Sequence, residues 1–227
     1  MAPPVTIRRI VLLRHGQTVY NAESRMQGQL DTALSALGIE QAKRAAEVLA
    51  HCDPLAIISS DLHRAYDTAL ELGSATGLPV SKDERLRETH LGDWQGRTHA
   101  EVDTLDPGAR MAWRLEPRLA PPGGGESRID VAARATPLID ELLARSSGGD
   151  ATLEHWPEHP IVLVAHGGLI CALTARLLDL PVSRWPTLGA PGNASWAQLS
   201  HYGAPDGTGQ WRLDVWNSSA QVAPDAT

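Results

Sequence analysis

The chain contains no phenylalanine and only two cysteines, Cys52 and Cys171. So few cysteines exclude a disulfide-dense scaffold. Both lie in apolar, helix-like segments and read as buried thiols. No apolar run is long enough to span a membrane, because the longest, "IVLVAHGGLICALTARLLDL", is broken by His166 and Arg176. The opening "MAPPVTIRR" lacks the apolar stretch of a signal peptide, and the expectation is a cytoplasmic protein without membrane contact. Positive charge is also short, with 20 Lys and Arg against 27 Asp and Glu and a net charge of −7. That balance argues against a nucleic-acid binder. A few arginines in a cleft can still hold a small phosphate.

Several chemistries are missing as well. There is no G-x-x-x-x-G-K-[ST] loop, no G-x-G-x-x-G after a strand and no G-x-S-x-G elbow. No His, Cys and Asp cluster has metal-ligand spacing, so neither metal nor cofactor is expected.

What is present is a repeated alternation of strand and helix. Ile7–Leu13 is a continuous run of the kind buried on both faces of a sheet. After a polar loop, Ser35 reads as the N-cap of a helix to about Ala50, with Leu37, Gln41, Ala45, Val48 and Leu49 near helical spacing. Leu55–Ser59 is a second strand. Asp61 is placed to cap the next helix, whose apolar stripe is Leu62, Ala65, Ala69 and Leu72 and which ends at Gly77 and Pro79. Val80 opens a short strand. Ser127 starts a helix to about Arg145, Ile161–Ala165 is a third buried strand, and a helix follows from Gly167 to Leu178. Ser195–Leu199 and Gln210–Val215 complete the strands. The pattern predicts one α/β domain over residues 1–227, a doubly wound, mainly parallel sheet with helices on both faces. A cap of short helices and loops is expected at about 89–119, and an exposed surface loop at about 146–159.

Two of the strands, "IVLLRHG" and "IVLVAHGG", end at once in His-Gly. In an open parallel sheet ligands bind beyond the carboxyl ends of the strands. His15 and His166 therefore sit side by side if their strands are neighbours, and the glycines after them allow close approach of backbone N–H groups to an anion. In "SSDLHRAYDTA", Arg64 falls in the first turn of a helix, where a cation is disfavoured unless an anion is held there. Pairing with Asp61 or Asp67 is the alternative. His63 and Asp67 read as solvated. In "RLRETHLGDWQG", Glu88 precedes a Gly- and Trp-rich loop and can serve as a general acid; Glu84 and Asp93 are rivals, and His90 reads as structural. Arg14, Arg64, His15, His166 and one carboxylate at one sheet edge suit a dianionic phosphoryl group, with forked guanidinium donors to orient it and a neutral imidazole to attack it.

The ordered set "LLRHGQTVYN", "SSDLHRAYDTA", "RLRETHLGDWQG", "GGGES" and "VLVAHGG" resembles the histidine phosphatase superfamily, also called phosphoglycerate mutase-like, from Ile10 to about Leu199. The resemblance implies that His15 becomes the phosphohistidine. It also implies that Arg14, Arg64 and His166 hold the phosphoryl oxygens with Asn21 as a further donor, and that Glu88 protonates the leaving oxygen and then activates water. Gln27 and Gly28 match a substrate-side loop. Further stretches, among them "SRMQGQLDT", "GNASWAQLS" and "WRLDVWN", resemble a bacterial branch that removes phosphate from a glucosylated 3-phosphoglycerate, an early step towards methylglucose lipopolysaccharide. That implies a small phosphorylated sugar-acid substrate and a homodimer without metal. Asn21, Gln27, Gly28, Gly167 and Asn193 are the candidate substrate contacts. A broad-specificity sugar or acid phosphatase, a mutase-type phosphotransferase and a non-catalytic phosphate-binding module are the alternatives.

Overall fold

The computed structural model describes residues 5–203 and 209–220. Its sheet has six strands in the order β3-β2-β4-β1-β5-β6. β1 (Thr6–Arg14), β2 (Ala56–Ser59), β3 (Val80–Lys82) and β4 (Ile161–Ala165) run parallel. β5 (Trp196–Gly203) is antiparallel to β1, and β6 (Gly209–Ser218) to β5. The fold is a mainly parallel α/β sheet with helices on both faces.

The two faces follow from side-chain alternation along β1 and β4. Ile10, Leu12, Ile161, Leu163 and Ala165 pack with α6 (Arg128–Ser147) and α7 (Gly167–Leu177). Val11, Leu13, Val162 and Val164 pack with α2 (Ala36–Ala50) and α3 (His63–Thr76). All five residues of β4 are fully buried, which explains why that strand is apolar throughout. Burying each such side chain contributes roughly 1.5–3 kcal/mol. Residues of α4 (His99–Leu105) and α5 (Ala109–Leu115) join a separate small cluster of Met26, Leu91, Trp94, Val102 and Trp113. α1 (Val19–Ala22) is a single turn beside the end of β1.

Several local readings change. α2 does bear Ser35 as its cap, accepting from Gly38 N–H at 3.1 Å. Its buried face is Gly38, Ala42, Ala45, Ala46 and Leu49, whereas Leu37 and Val48 are exposed. Small residues win that face because the helix lies very close to the segment after β1: a Cβ on Gly38 would stand 1.9 Å from Gln17 O. Asp61 does not cap α3. Leu62 holds the N-cap position without a side-chain bond, and Asp61 is paired with Arg87 instead. The 146–159 stretch is not simply exposed, since Trp156 and Leu153 are buried in the core and Trp156 Nε1–H donates to Arg9 O at 2.8 Å. Cys171 is buried, but Cys52 is exposed just beyond the end of α2.

Candidate active site

The register of the central strands sets the site. Arg14 pairs with Ala165 across β1 and β4, so the next residues, His15 and His166, lie side by side with ring centroids 5.1 Å apart. Both are almost wholly buried. His15 Nδ1 lies 2.6 Å from Gly16 O. A carbonyl can only accept, so Nδ1 carries the proton and Nε2 keeps a free lone pair. Asn193 Nδ2 donates to His15 O at 3.2 Å and fixes the same backbone from the other side.

His166 Nε2 lies 2.9 Å from Ser60 Oγ. Ser60 Oγ, which also accepts from Leu62 N–H at 3.4 Å, donates to Nε2 in the tautomer that carries the imidazole proton on Nδ1. Nδ1 is buried without a partner.

Arg64, in the first turn of α3, is buried, with Nη1 and Nη2 donating to Leu30 O at 2.8 Å and Gly28 O at 2.7 Å. Neither Asp61 nor Asp67 neutralises it. Arg14 Nη1 donates to Pro191 O at 2.6 Å. The Nε atoms of both arginines are buried and unpartnered. Burial brings the Arg64 pKa down to about 10 and also lowers that of Arg14.

Burial, then the charges of Arg64 and Arg14, hold the His15 pKa well below 6.5. His166 is lowered likewise, by burial, Arg64, His15 and Arg14. Both rings are therefore neutral in the ligand-free protein near neutral pH. Below about pH 6.5 the unfolded chain binds protons that these folded histidines refuse, so stability falls with pH. The expected loss is about 1.4 kcal/mol per histidine per pH unit. Thermal unfolding followed from pH 8 to pH 5 should show Tm falling below pH 6.5, with a shallower fall in His166→Gln. A pH-independent Tm in that window contradicts these neutral rings.

Glu88, in the segment after β3, lines the same cavity as His15. Its Oε1 accepts from Thr89 N–H at 2.7 Å and Leu169 N–H at 3.1 Å, and its Oε2 from Gly168 N–H at 3.0 Å. The first turn of α7 thus holds this carboxylate. A Cβ on residue 168 would come within 2.5 Å of Oε1, so glycine is required there. Oε2 has a single donor and retains a lone pair for a proton. Neither Glu84 nor Asp93 lines the cavity.

The cavity has a volume of about 550 Å³. Arg14, His15, Asn21, Gln27, Gly28, Arg64 and Glu88 all line it. Asn21 Oδ1 accepts from Thr18 N–H, Thr18 Oγ and Asn193 Nδ2, which leaves its Nδ2 as a free donor. Gln27 Oε1 accepts from Thr32 Oγ, again freeing the amide nitrogen. His166, Gly167 and Asn193 do not line the cavity. His166 lies behind its surface beside His15, Gly167 packs near the Arg14 guanidinium, and Asn193 braces His15 and Asn21.

The sequence did not point to several further lining residues, namely Arg110, Trp113, Arg114 and Arg128, with Trp185 and Leu188. Arg128 carried a readable signal. It occupies the first position of α6 after the Ser127 cap, a cation at the positive end of a helix, as Arg64 is.

A curated protein of Mycolicibacterium vanbaalenii, a glucosyl-3-phosphoglycerate phosphatase, is 62% identical over 225 residues, covering 96% of this chain and 98% of that protein. The Mycobacterium tuberculosis protein of the same name is 62% identical over 221 residues, with the same coverage. A solved mycobacterial glucosyl-3-phosphoglycerate phosphatase in complex with VO3 superposes with a TM-score of 0.86 at 61% identity, covering 93% of this chain and all of that one. The family model for the histidine phosphatase superfamily, branch 1, matches residues 10–219. With His15, Arg14 and Arg64 lining one cavity and a second strand-end histidine, His166, beside the first, and with relatives this similar over nearly its whole length, the chain belongs to the histidine phosphatase superfamily.

Proposed function

We propose that this protein hydrolyses glucosyl-3-phosphoglycerate to glucosylglycerate and phosphate, through a phosphohistidine at His15. We further propose that it acts in the cytoplasm as a homodimer, without metal, in methylglucose lipopolysaccharide biosynthesis. One observation carries the reading of the site. Three buried nitrogens of residues near His15, namely Arg14 Nε, Arg64 Nε and His166 Nδ1, have no hydrogen-bond partner among the described residues. Buried polar groups are rarely left unpaired, and together these three suit the oxygens of a phosphoryl group. The substrate is supported by the named activity of relatives that are 62% identical across 96% of this chain.

In this mechanism His15 Nε2 attacks phosphorus in line with the ester oxygen. The P–O bond to the sugar acid breaks, and Glu88 Oε2 delivers a proton to the departing oxygen. Arg14, Arg64, His166 and Asn21 offset the charge on the phosphoryl oxygens. Water then attacks the phosphohistidine, losing a proton to Glu88, and the phosphorus–nitrogen bond breaks to restore His15 and release phosphate. A group that gives a proton in one step and takes one in the next needs no other base.

The test is phosphate release from about a dozen sugar and acid phosphates with a chelator present throughout. Selective turnover of glucosyl-3-phosphoglycerate that survives the chelator is the expected result. A flat profile points to a broad-specificity phosphatase. Interconversion of 2- and 3-phosphoglycerate with a bisphosphate primer points to a mutase. Either outcome removes the proposed substrate.

A further inference from the structure

Part of the cavity wall is not used by the phosphoryl chemistry. There Trp113 of α5 and Arg128 of α6 stack, with the guanidinium carbon 4.8 Å from the ring centroid. Trp113 is nine-tenths buried, and its Nε1–H has no acceptor among the described residues. Arg114 follows it on α5. Arg110 and Arg25 also line the cavity, but each has a carboxylate of its own, Asp103 and Glu23 respectively. Arg114 and Arg128 have no carboxylate within ion-pair distance among the described residues.

Charge decides what this part of the wall can take. Arg14, Arg64, Arg114 and Arg128 line the cavity without a carboxylate partner among the described residues, and of those residues Glu88 is the only carboxylate on its wall. That is an excess of three positive charges with Glu88 ionised, and of four when Glu88 carries the proton it donates. A phosphomonoester dianion at His15 offsets two, and a monoanion offsets the third. One small molecule can reach both groups of residues, because Arg14, His15, Glu88, Trp113, Arg114 and Arg128 line a single cavity of about 550 Å³. Arg128 also stands at the positive end of the 20-residue helix α6, where a bound anion is favoured and a bare cation is not.

We infer that Arg128 and Arg114, with the indole N–H of Trp113, form a carboxylate subsite that selects phosphomonoesters bearing an acid group. This deepens the function proposed above and rests on its phosphoryl site. A planar guanidinium held by stacking on an indole is preorganised for a bidentate carboxylate. The subsite therefore acts on specificity: it distinguishes a phosphorylated acid from the corresponding phosphorylated alcohol.

The test compares 3-phosphoglycerate with glycerol 3-phosphate, which differ in the acid group alone, and adds glucosyl-3-phosphoglycerate as a third substrate. The wild-type protein should favour the acid by at least about tenfold in kcat/KM. Arg128→Met should lower that acid-to-alcohol ratio by about 10- to 100-fold, the scale of a lost hydrogen bond to a charged group, with the loss falling mainly on KM for the acid. Arg128→Lys should restore part of the ratio. Trp113→Phe, which keeps an aromatic face under the guanidinium but removes the pyrrole ring with its N–H, should lower the ratio less and in the same direction, and serves if Arg128→Met fails to fold. No acid preference in the wild-type protein, or a ratio unmoved by these variants, overturns the subsite. A preserved acid preference with no turnover of glucosyl-3-phosphoglycerate leaves the subsite standing and overturns the proposed substrate.

Discussion

Replacing His15 with alanine is expected to lower kcat by about 10⁴- to 10⁶-fold, the scale on which a covalent catalytic unit fails when its nucleophile is removed. The adjacent imidazole is poorly placed to replace it: His166 does not line the cavity, and its Nε2 is held at 2.9 Å from Ser60 Oγ. Cys171 is the nearby thiol, but burial holds it protonated, with a pKa raised to about 12. The measurement is steady-state phosphate release by the folded variant. Residual activity within tenfold of wild type contradicts a nucleophilic His15.

Arg64→Met should lower kcat/KM by about 10²- to 10³-fold, as expected when one preorganised donor to a developing oxyanion is removed. It should also move the pH profile, which a merely structural role would not. The Arg64 charge is the second cause, after burial, of the low pKa of both His15 and His166. With that charge gone, His15 takes up a proton at higher pH, so its acid limb shifts upward toward 6.5 and the variant loses further activity between pH 7 and pH 6. The shift separates charge from packing, because methionine fills much of the same volume. An acid limb identical in the two proteins contradicts the electrostatic account even if activity falls.

Much of this arrangement could be read from the chain because the chemistry sits where regular structure ends. An apolar strand that stops at His-Gly announces both the strand and its carboxyl edge, and the register Arg14 to Ala165 then places the histidines together. Other features resisted reading, for identifiable reasons. Asp61 has the composition of a helix cap, but a competing guanidinium on Arg87 captures it. Trp156 lies in a polar, glycine-containing stretch, and only the long-range bond to Arg9 O shows that it is core. The α2 face follows close backbone approach rather than hydrophobic periodicity, so alanines and Gly38 displace Leu37 and Val48. Asn193 matches a substrate contact by position, yet its amide is spent on His15 O and Asn21. The cap arginines come from α5 and α6, elements separated in sequence from the catalytic motifs, and only tertiary folding brings them to the same cavity.

The phosphohistidine itself is open to direct observation. Enzyme mixed with substrate and quenched into alkali during turnover, then digested and read by mass spectrometry, should carry a phosphoryl group on the peptide containing His15, and that label should vanish when substrate is exhausted. A phosphoryl group on His166, or turnover with no labelled histidine at any time, would contradict the claim that water attacks only after phosphorus has been bonded to His15.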